Sequence, residues 1–590
     1  MIATVDESRC SFMENHRLKR FLKWFEENAA LSLVMFIAFV VRVHGIRYGL
    51  PDQLHLDEAH VVSHAIRFGS GDFNPHFFYY PAFFMYLLFG LYGAAYIVGH
   101  VFGFFPSATD FGIQYFIDPT MFYLIARVTA AAFGAGAAYI AAAAGARFVN
   151  KRAGLLAAFF LALTPLHVEQ SHFAITDIPL TFFMTLALYF AARLATEGGL
   201  RNYIFCGIVA GLGTATKYTA AQLLATMFFA HFIFAMRAKS GSKAGTLFSI
   251  APFAMFFAFG AAYLAGAPYS VLDFKSFIGD IRIQKTLMND GWFGMETPVN
   301  MWLHSIVVYL KDGMGIPLLA ASGCGIIYAA MRRRPHELVF LCYIAVFYSI
   351  NGQFSQFGFS RHWLGALPVL CFLAATALDA ASGIFKARGR EIAMLAAVAI
   401  MALPIKTILD SNNLFMAKDT RTLAREWIEE NVPTGAAVAV EYGGPQLAPT
   451  PESMLGAQEL KDRMANERVA GAVPLPAYDT RRPSDAEKNS PKKYHLAALD
   501  IIEPKYRLTS SFSLAEYPLE SYSREGFEYI VVSGHIYERF FAAEDFYPEA
   551  VAFYRSLDEK AQLLKEFPSS PKERLGPEIK IYRLPKNPEQ

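Results

Sequence analysis

Charged residues are scarce in this sequence. Only 18% of its 590 residues are Asp, Glu, Lys or Arg, against roughly 25% in an average soluble domain, and the two signs nearly cancel to a formal net charge of +2. No basic stripe with interleaved aromatics runs along any segment, so no nucleic-acid partner is expected. Cysteine is scarce too. Cys10, Cys206, Cys324, Cys342 and Cys371 fall far apart and mostly within apolar runs, a distribution that excludes a disulfide framework or a zinc-ligand spacing. The basic N-terminal residues Arg17, Lys19, Arg20 and Lys23 precede an apolar run, but no small-residue cleavage pattern follows, so this run is expected to be an uncleaved first membrane helix.

What is abundant is apolar surface. Hydrophobic residues make up 54% of the chain and aromatics 15%, with a mean hydropathy of +0.28. The uncharged runs Val128–Ala146, Thr219–Met236, Ala244–Leu272 and His362–Leu378 approach or exceed the roughly 18 residues of a spanning helix. An integral membrane protein follows. With no water in hydrocarbon to satisfy backbone amides, the spans must be helical. Hydropathy marks twelve segments, near 28–46, 77–105, 119–147, 152–171, 176–195, 202–217, 219–236, 245–266, 314–331, 336–350, 361–380 and 391–409.

Short Lys/Arg-rich loops stay on the cytoplasmic side. Here they are the N-terminal tail (1–27), Arg147–Arg152, Arg193–Arg201, Arg237–Lys243, Arg332–Arg334 and Lys386–Arg390. All share one side only if 77–105 makes no net crossing, so that segment, with Pro81 and its glycines, is read as juxtamembrane or re-entrant. The expected fold is a multi-pass α-helical membrane domain over 28–409, with about eleven crossings, and a C-terminal external α/β domain over 410–590. Parity then places the first external loop (47–76), the turn 164–177, the loop 267–313, the turn 351–361 and the C-terminal domain on one external face. In that domain Thr420–Asn431 has helical spacing, AAVAVEY (436–442) and IKIYRL (579–584) read as strands, and FEYIVVSGHIYERFF as a strand entering a helix. The proline- and charge-rich 443–495 reads as a long loop.

Polar residues that resist a scaffold role gather in three places on that face. The stretch Pro51–Pro81 carries Asp57, Glu58, His55, His60, His64 and His76, then Phe77-Phe78-Tyr79-Tyr80. Ionisable groups at a membrane face are costly unless solvated or partnered, although Asp57 also suits a plain helix N-cap and the aromatics an interfacial belt. The second place is Gln170-Ser171-His172 through Asp177-Ile178-Pro179, where an N-cap explains Asp177 but not the nearby His167, Glu169 and His172. Third are cations at external helix ends, Arg127, Lys217 and Arg361-His362, which either snorkel to the interface or converge on an anion such as phosphate. Asp273, Asp280, Asp290, Glu296 and Asp312 read as solvated loop charges, and His100 and His231 as packed or interfacial.

The order of LDEAH with HFFYYPAFFMYLL, FYLIARVTAAAFG, LTPLHVEQSHFAITDIPLTFFMTLALY, GLGTATKYTA and SRHWLGALPVL resembles the GT-C superfamily of lipid-phosphosugar glycosyltransferases. Within it, the sequence resembles particularly the protein O-mannosyltransferase and lipid A aminoarabinose transferase group, over residues 28–380. The resemblance implies inverting transfer from a polyprenyl-phosphate-linked sugar to a lipid, glycan or protein acceptor, in a bacterial inner membrane with a cytoplasmic N-terminus and a periplasmic C-terminal domain. It implies catalytic acids at Asp57, with its neighbour Glu58, and Asp177. Donor-phosphate contacts are implied at Arg127 and Arg361, with Lys217 and His362 added. His60, His76, Tyr79, Tyr80 and His172 are the acceptor or sugar contacts. His172 stands where the mannosyltransferases have arginine, and the single Pro81 where they have a double proline. No cofactor is expected; a divalent metal on Asp57, Glu58, His60 and Asp177 is the lesser alternative. The rival functions are a transporter, against which the absence of an internal repeat counts, and a non-catalytic envelope assembly protein.

Overall fold

The computed structural model describes residues 28–239, 242–290, 299–354, 358–447 and 507–585. The tail 1–27, Glu296 and most of the stretch 443–495 lie outside the described residues.

Each of the twelve apolar segments forms a helix: Ala29–Val43, Phe83–Val101, Thr120–Phe148, Lys151–Ala162, Asp177–Glu197, Leu200–Thr216, Leu223–Met236, Ile250–Gly266, Ile316–Arg332, Pro335–Gly352, Leu367–Ser382 and Gly389–Met416. Among the described residues, seven helices are long and apolar enough to cross a membrane, or eight if Met301–Met314 and Ile316–Arg332, bent by 117°, form one span. The expected segment 152–171 breaks at Pro165, which starts a separate short helix Pro165–Gln170. Proline has no N–H to continue the ladder, and the guanidinium of Arg42, 0% exposed, takes up the carbonyls left open, donating from Nη1 to Ala162 O at 2.9 Å and from Nη2 to Leu161 O at 3.3 Å.

Small residues set the helix spacing, as in other membrane bundles. On Leu200–Thr216, a Cβ added to Gly207 or Gly211 would come within 2.2 Å of Met255 O or 2.3 Å of Phe259 O, so the backbone of Ile250–Gly266 lies directly on this glycine pair. Among the described residues, the basic loops after Thr120–Phe148, Asp177–Glu197, Leu223–Met236 and Ile316–Arg332 gather at one end of the bundle. There Arg147 pairs with Glu197 at 2.6 Å, Arg237 donates to Ala195 O at 2.9 Å, Arg152 pairs with Asp379, and His336 stacks on Phe148 with ring centroids 4.9 Å apart.

The helix Phe83–Val101 is unbroken, so its glycines do not fold it back on itself. Phe84 packs on Phe133 and the Tyr92 hydroxyl donates to Phe122 O at 3.2 Å. As the residue number rises along this helix, it climbs towards the start of Thr120–Phe148, away from the basic loops.

The C-terminal unit is a five-stranded sheet of order β2-β1-β3-β5-β4, with β1 Ala437–Glu441, β2 Arg507–Ser511, β3 Tyr529–Ser533, β4 Gln562–Phe567 and β5 Ile579–Arg583. β2 and β3 flank β1 in parallel, and β5 runs antiparallel to β3 and β4. Helix Thr420–Asn431 covers one face through Ala424 and Ile428; Gly534–Ala542 and Pro548–Lys560 cover the other. The three inner strands are those read from the sequence. The two edge strands are not, because an edge strand such as QLLKEF leaves its side chains largely exposed and carries no buried alternation.

Replacing Gly207 by leucine is expected to wedge the two helices apart at a cost of roughly 1–3 kcal/mol, read as a lowered unfolding temperature in detergent. An unchanged transition would show that the contact is not tight.

Candidate active site

The first-loop helix Leu56–Arg67 opens after an extended His55 and holds Asp57 and Glu58 in its first turn. Neighbouring positions on a helix point about 100° apart, so the two acids part company. Glu58 turns inward and is 0% exposed. Arg127, also 0% exposed, grips it with two hydrogen bonds, Nε to Oε1 at 2.8 Å and Nη2 to Oε2 at 2.6 Å. The remaining Arg127 nitrogen, Nη1, donates to Ile46 O and Tyr48 O at 2.8 and 2.7 Å, and Glu58 Oε1 also accepts from the Ala174 amide at 2.6 Å.

Asp57 faces the other way and meets Arg361, with Oδ2 to Nη1 at 2.7 Å; the two side chains are 27% and 23% exposed. Arg361 stands in the tight turn Ser360–Ala366 that leads into Leu367–Ser382. Beside it, Asp177, the first residue of its helix, pairs with Lys217 at 2.7 Å. Lys217 is extended (φ −155°, ψ 131°) where Leu200–Thr216 ends, and its ammonium lies 5.8 Å from the centre of the Tyr80 ring. Asp177, Lys217, Arg361 and His362 line one cavity of about 90 Å³, closed on its other sides by Gln284, Phe347 and Trp363 among others. Burial raises the Asp57 carboxyl, but the charges of Arg361, His55, His60 and Lys217 outweigh it and hold the carboxyl below its ordinary value. Burial lowers His60 against the pull of Asp57, and its ring stacks on Phe77 at 5.3 Å.

The aromatic segment is fixed by its backbone. Phe78 N donates to Asp280 at 2.8 Å, Gln284 Nε2 to Tyr79 O at 3.1 Å, and the Tyr218 hydroxyl to Phe78 O at 3.0 Å. Asp280 and Gln284 lie four residues apart on Phe274–Asp290 and so share one face. Asp280 is therefore not the solvated loop charge expected of it: it is 0% exposed. Its only sequence signal was the helical spacing of an acid and an amide within an amphipathic stretch.

Asp57, Asp177, Lys217, Arg361, His362, His60 and Tyr80 are thus brought together, and several other candidates are not. Arg127, expected at the donor phosphate, has Nε and Nη2 engaged by Glu58 and Nη1 by the carbonyls of Ile46 and Tyr48, and the Glu58 carboxylate is taken up by Arg127 and the Ala174 amide. His172 is 1% exposed; its ring nitrogens lie 3.0 Å from Val168 O and 2.9 Å from His44 O, so it ties two loops together instead of contacting a sugar. His76 is spent in a local turn, with Nε2 2.8 Å from Asp72. The Tyr79 side chain is buried against Phe77. Among the described residues no three His, Cys, Asp or Glu side chains converge as a metal-ligand set, and in the suggested set Glu58 points away from Asp57.

The C-terminal unit closes over the same end. Gln446, past the end of β1, exchanges two hydrogen bonds with the Gln53 backbone at 3.0 and 3.1 Å, and Arg421 donates to Leu54 O at 2.7 Å. Tyr442 and His535, from the carboxyl ends of β1 and β3, pack ring to ring and lie close enough to feel the charge of Asp57. Burial pushes the Tyr442 phenol up to about 12, and burial together with Arg539 holds His535 down to about 4.

Residues 120–259 match the family described as dolichyl-phosphate-mannose-protein mannosyltransferase. This match bears out the resemblance to the GT-C superfamily drawn from the motifs. No curated protein matches the chain by sequence. Among solved structures, the chain is similar to the oligosaccharyltransferase AglB from Archaeoglobus fulgidus in complex with an inhibitory peptide and a dolichol-phosphate, at 15% identity over 94% of this chain and 74% of that one, with a TM-score of 0.49. It is similar to ArnT from Cupriavidus metallidurans bound to undecaprenyl phosphate, at 12% identity over 94% and 97%, TM-score 0.47. The Pmt1–Pmt2 protein O-mannosyltransferase complex of S. cerevisiae overlaps 43% of this chain and 34% of that one, at 20% identity and a TM-score of 0.33.

Two arginines separate structure from chemistry. Arg127→Met strands a buried carboxylate and is expected to cost about 3–5 kcal/mol, seen as lost folded yield or a much lower unfolding temperature. Arg361→Met leaves Asp57 partly open to water and is expected to change stability far less; equal losses would contradict the division.

Proposed function

We propose that the chain is an inverting glycosyltransferase that takes a sugar from a polyprenyl-phosphate carrier, with Asp57 as general base and Arg361, Lys217 and His362 on the leaving phosphate. The observation that carries this reading is the contact of Asp57 with Arg361 beside Asp177 with Lys217. Asp177, Lys217 and Arg361 line one small cavity at the end of the bundle opposite the basic loops, and Asp57 is paired to the Arg361 of that cavity. The Lys/Arg rule makes that end the external face, with the N-terminus cytoplasmic and the C-terminal unit periplasmic.

A base needs a position within hydrogen-bond reach of the acceptor hydroxyl and an ionised state. Asp57 supplies both once it is released from Arg361. In the resting pair the guanidinium neutralises the carboxylate. A donor phosphate competes for the same guanidinium, which binds phosphate with paired hydrogen bonds, and its arrival frees Asp57 for the acceptor. The acceptor O–H bond then breaks, its proton passing to the Asp57 carboxylate. The acceptor oxygen bonds to the anomeric carbon from the face opposite the phosphate, and the anomeric C–O bond breaks with its electron pair on the polyprenyl phosphate. Charge grows on that phosphate in the transition state, where preorganised cations act most strongly. Asp177 keeps Lys217 in place, and Tyr80, His60 and His362 border the sugar. The acceptor is a lipid, glycan or protein hydroxyl.

Asp57→Asn is expected to lower turnover of polyprenyl-phosphate-linked sugar by about 10²–10⁴-fold with unaltered folding, measured by release of polyprenyl phosphate from donor lipids extracted from the host membrane. Full turnover in this variant would remove the assignment. Because the carboxyl of the donor-free protein lies below its ordinary value, chiefly through Arg361, kcat/KM, which reports the free enzyme, is expected to persist down to and below the usual carboxylate range. An acid limb above that range would point to a different base.

A further inference from the structure

A second cavity, of about 320 Å³, lies in the seam between the helical bundle and the C-terminal unit. That volume is at the small end of the roughly 300–1,000 Å³ typical of ligand pockets. The site described above does not use it. Its bundle side is formed by Tyr48, Phe173 and Phe415 with the Glu169 carboxyl and Ser411, and its far side by Arg421 and the backbone at Gly576. The rings are rigidly held: Tyr48, Phe173 and Phe415 meet one another edge to face at 5.3–6.3 Å. Gly576 is at φ +107°, and a Cβ there would strike Thr420 and Asp419 at 2.1 and 2.4 Å, so the far wall is locked to the start of Thr420–Asn431. Leu54 and His55, which precede Asp57 by three and two residues, complete the lining on the side of the catalytic loop.

The chemistry of this lining is selective. An acyl chain would bury against hydrocarbon the Glu169 carboxyl, whose hydrogen bond from Gln170 Nε2 is long at 3.3 Å, which is costly. An anion would meet a guanidinium already neutralised by Asp419, which it contacts at 2.8 and 2.9 Å, and would be repelled by Glu169 when ionised. A sugar ring fits both features, because its C–H faces lie against aromatic rings while its hydroxyls both donate and accept. Burial raises the Glu169 carboxyl above its ordinary value, which extends the pH range in which it can donate as well as accept.

We propose that the seam cavity is a carbohydrate subsite that holds one neutral sugar ring of a glycan acceptor, with Glu169 and Ser411 on its hydroxyls and Phe173, Phe415 and Tyr48 against its faces. The cavity wall at His55 is two residues from Asp57 in the chain, and in this proposal the next hydroxyl-bearing ring of the same glycan extends along the loop to the base. The identification of this glycan as an acceptor rests on the transferase reading; the binding of a sugar in the seam does not.

The test uses the full chain in a detergent without a sugar headgroup and a panel of methyl glycosides of hexoses and pentoses, followed by saturation-transfer NMR. Transfer to ring protons is expected in the unaltered protein and in Asp57→Asn. It is expected to be abolished in Ser411→Trp, whose indole fills the cavity, and to require a roughly tenfold higher sugar concentration in Glu169→Gln, equivalent to about 1.4 kcal/mol. Leu414→Trp, filling the same space from a neighbouring position, replaces Ser411→Trp if the latter fails to fold. Transfer that survives both fillings, transfer lost in Asp57→Asn alone, or no transfer in the unaltered protein would each overturn the proposal. So would a filling variant that removes only contacts to detergent or lipid chains, or to an added peptide. Turnover in Asp57→Asn decides the transferase reading separately.

Discussion

The buried pair of Arg127 and Glu58 is the constraint from which the catalytic end is built. Two charges out of water are tolerated only when geometry and additional hydrogen bonds satisfy them, and here the satisfaction reaches across the chain. The Arg127 guanidinium holds the carbonyls of residues 46 and 48 at the exit of the first helix, while Glu58 holds the Ala174 amide of the second polar turn. Three segments distant in sequence are thereby brought to one point. Asp57, adjacent to Glu58, and Asp177, three residues beyond Ala174, arrive at the same end of the bundle as a consequence. Removing either partner would leave the other buried and unpaired, so this pair fixes where the chemistry can occur without touching a substrate.

A second knot places the C-terminal unit. Asp419 accepts the Tyr48 hydroxyl at 2.6 Å and two Arg421 hydrogen bonds at 2.8 and 2.9 Å, while Thr422 and Arg425 reach Asp52 at 2.9 and 3.1 Å. These contacts join the start of helix Thr420–Asn431 to the beginning of the first loop. The catalytic loop is therefore held from below by Arg127 and from the side by the C-terminal unit. Its outward carboxylate is left between Arg361 and the rings of Tyr442 and His535. The seam cavity is the space that this docking leaves unfilled.

The sequence disclosed residues whose reason is local and hid those whose reason is distant. A run of apolar residues needs no partner to be read as a helix, because hydrocarbon forces backbone hydrogen bonds inward; all twelve segments appear as helices, although 152–171 is broken at Pro165 and 245–266 at Phe248–Ser249. Arg127 and Arg361 looked alike in sequence, each a cation at the outer end of an apolar run. They differ only in whether a carboxylate from the first loop has closed over them completely. His172 resembled a polar contact in a motif until the carbonyls of Val168 and His44 appeared beside its ring. Asp280 looked like a loop acid because nothing in its own helix shows that the Phe78 amide, some two hundred residues away, requires an acceptor.

Composition and periodicity alone determined that the chain is a helical membrane protein with a small α/β unit after its last apolar segment. The motif order pointed to Asp57 with Glu58, Asp177, Arg127 and Arg361, with Lys217 and His362 added. The first conclusion follows from solvation and helical geometry, which act residue by residue; the second is what the resemblance implies. Only the tertiary structure decided which acid faces inward and which outward, which arginine is structural, and that Asp57 rests against Arg361 and Asp177 against Lys217. Pairing of charges depends on distances of a few ångströms between segments the sequence keeps far apart, and no local pattern encodes such distances.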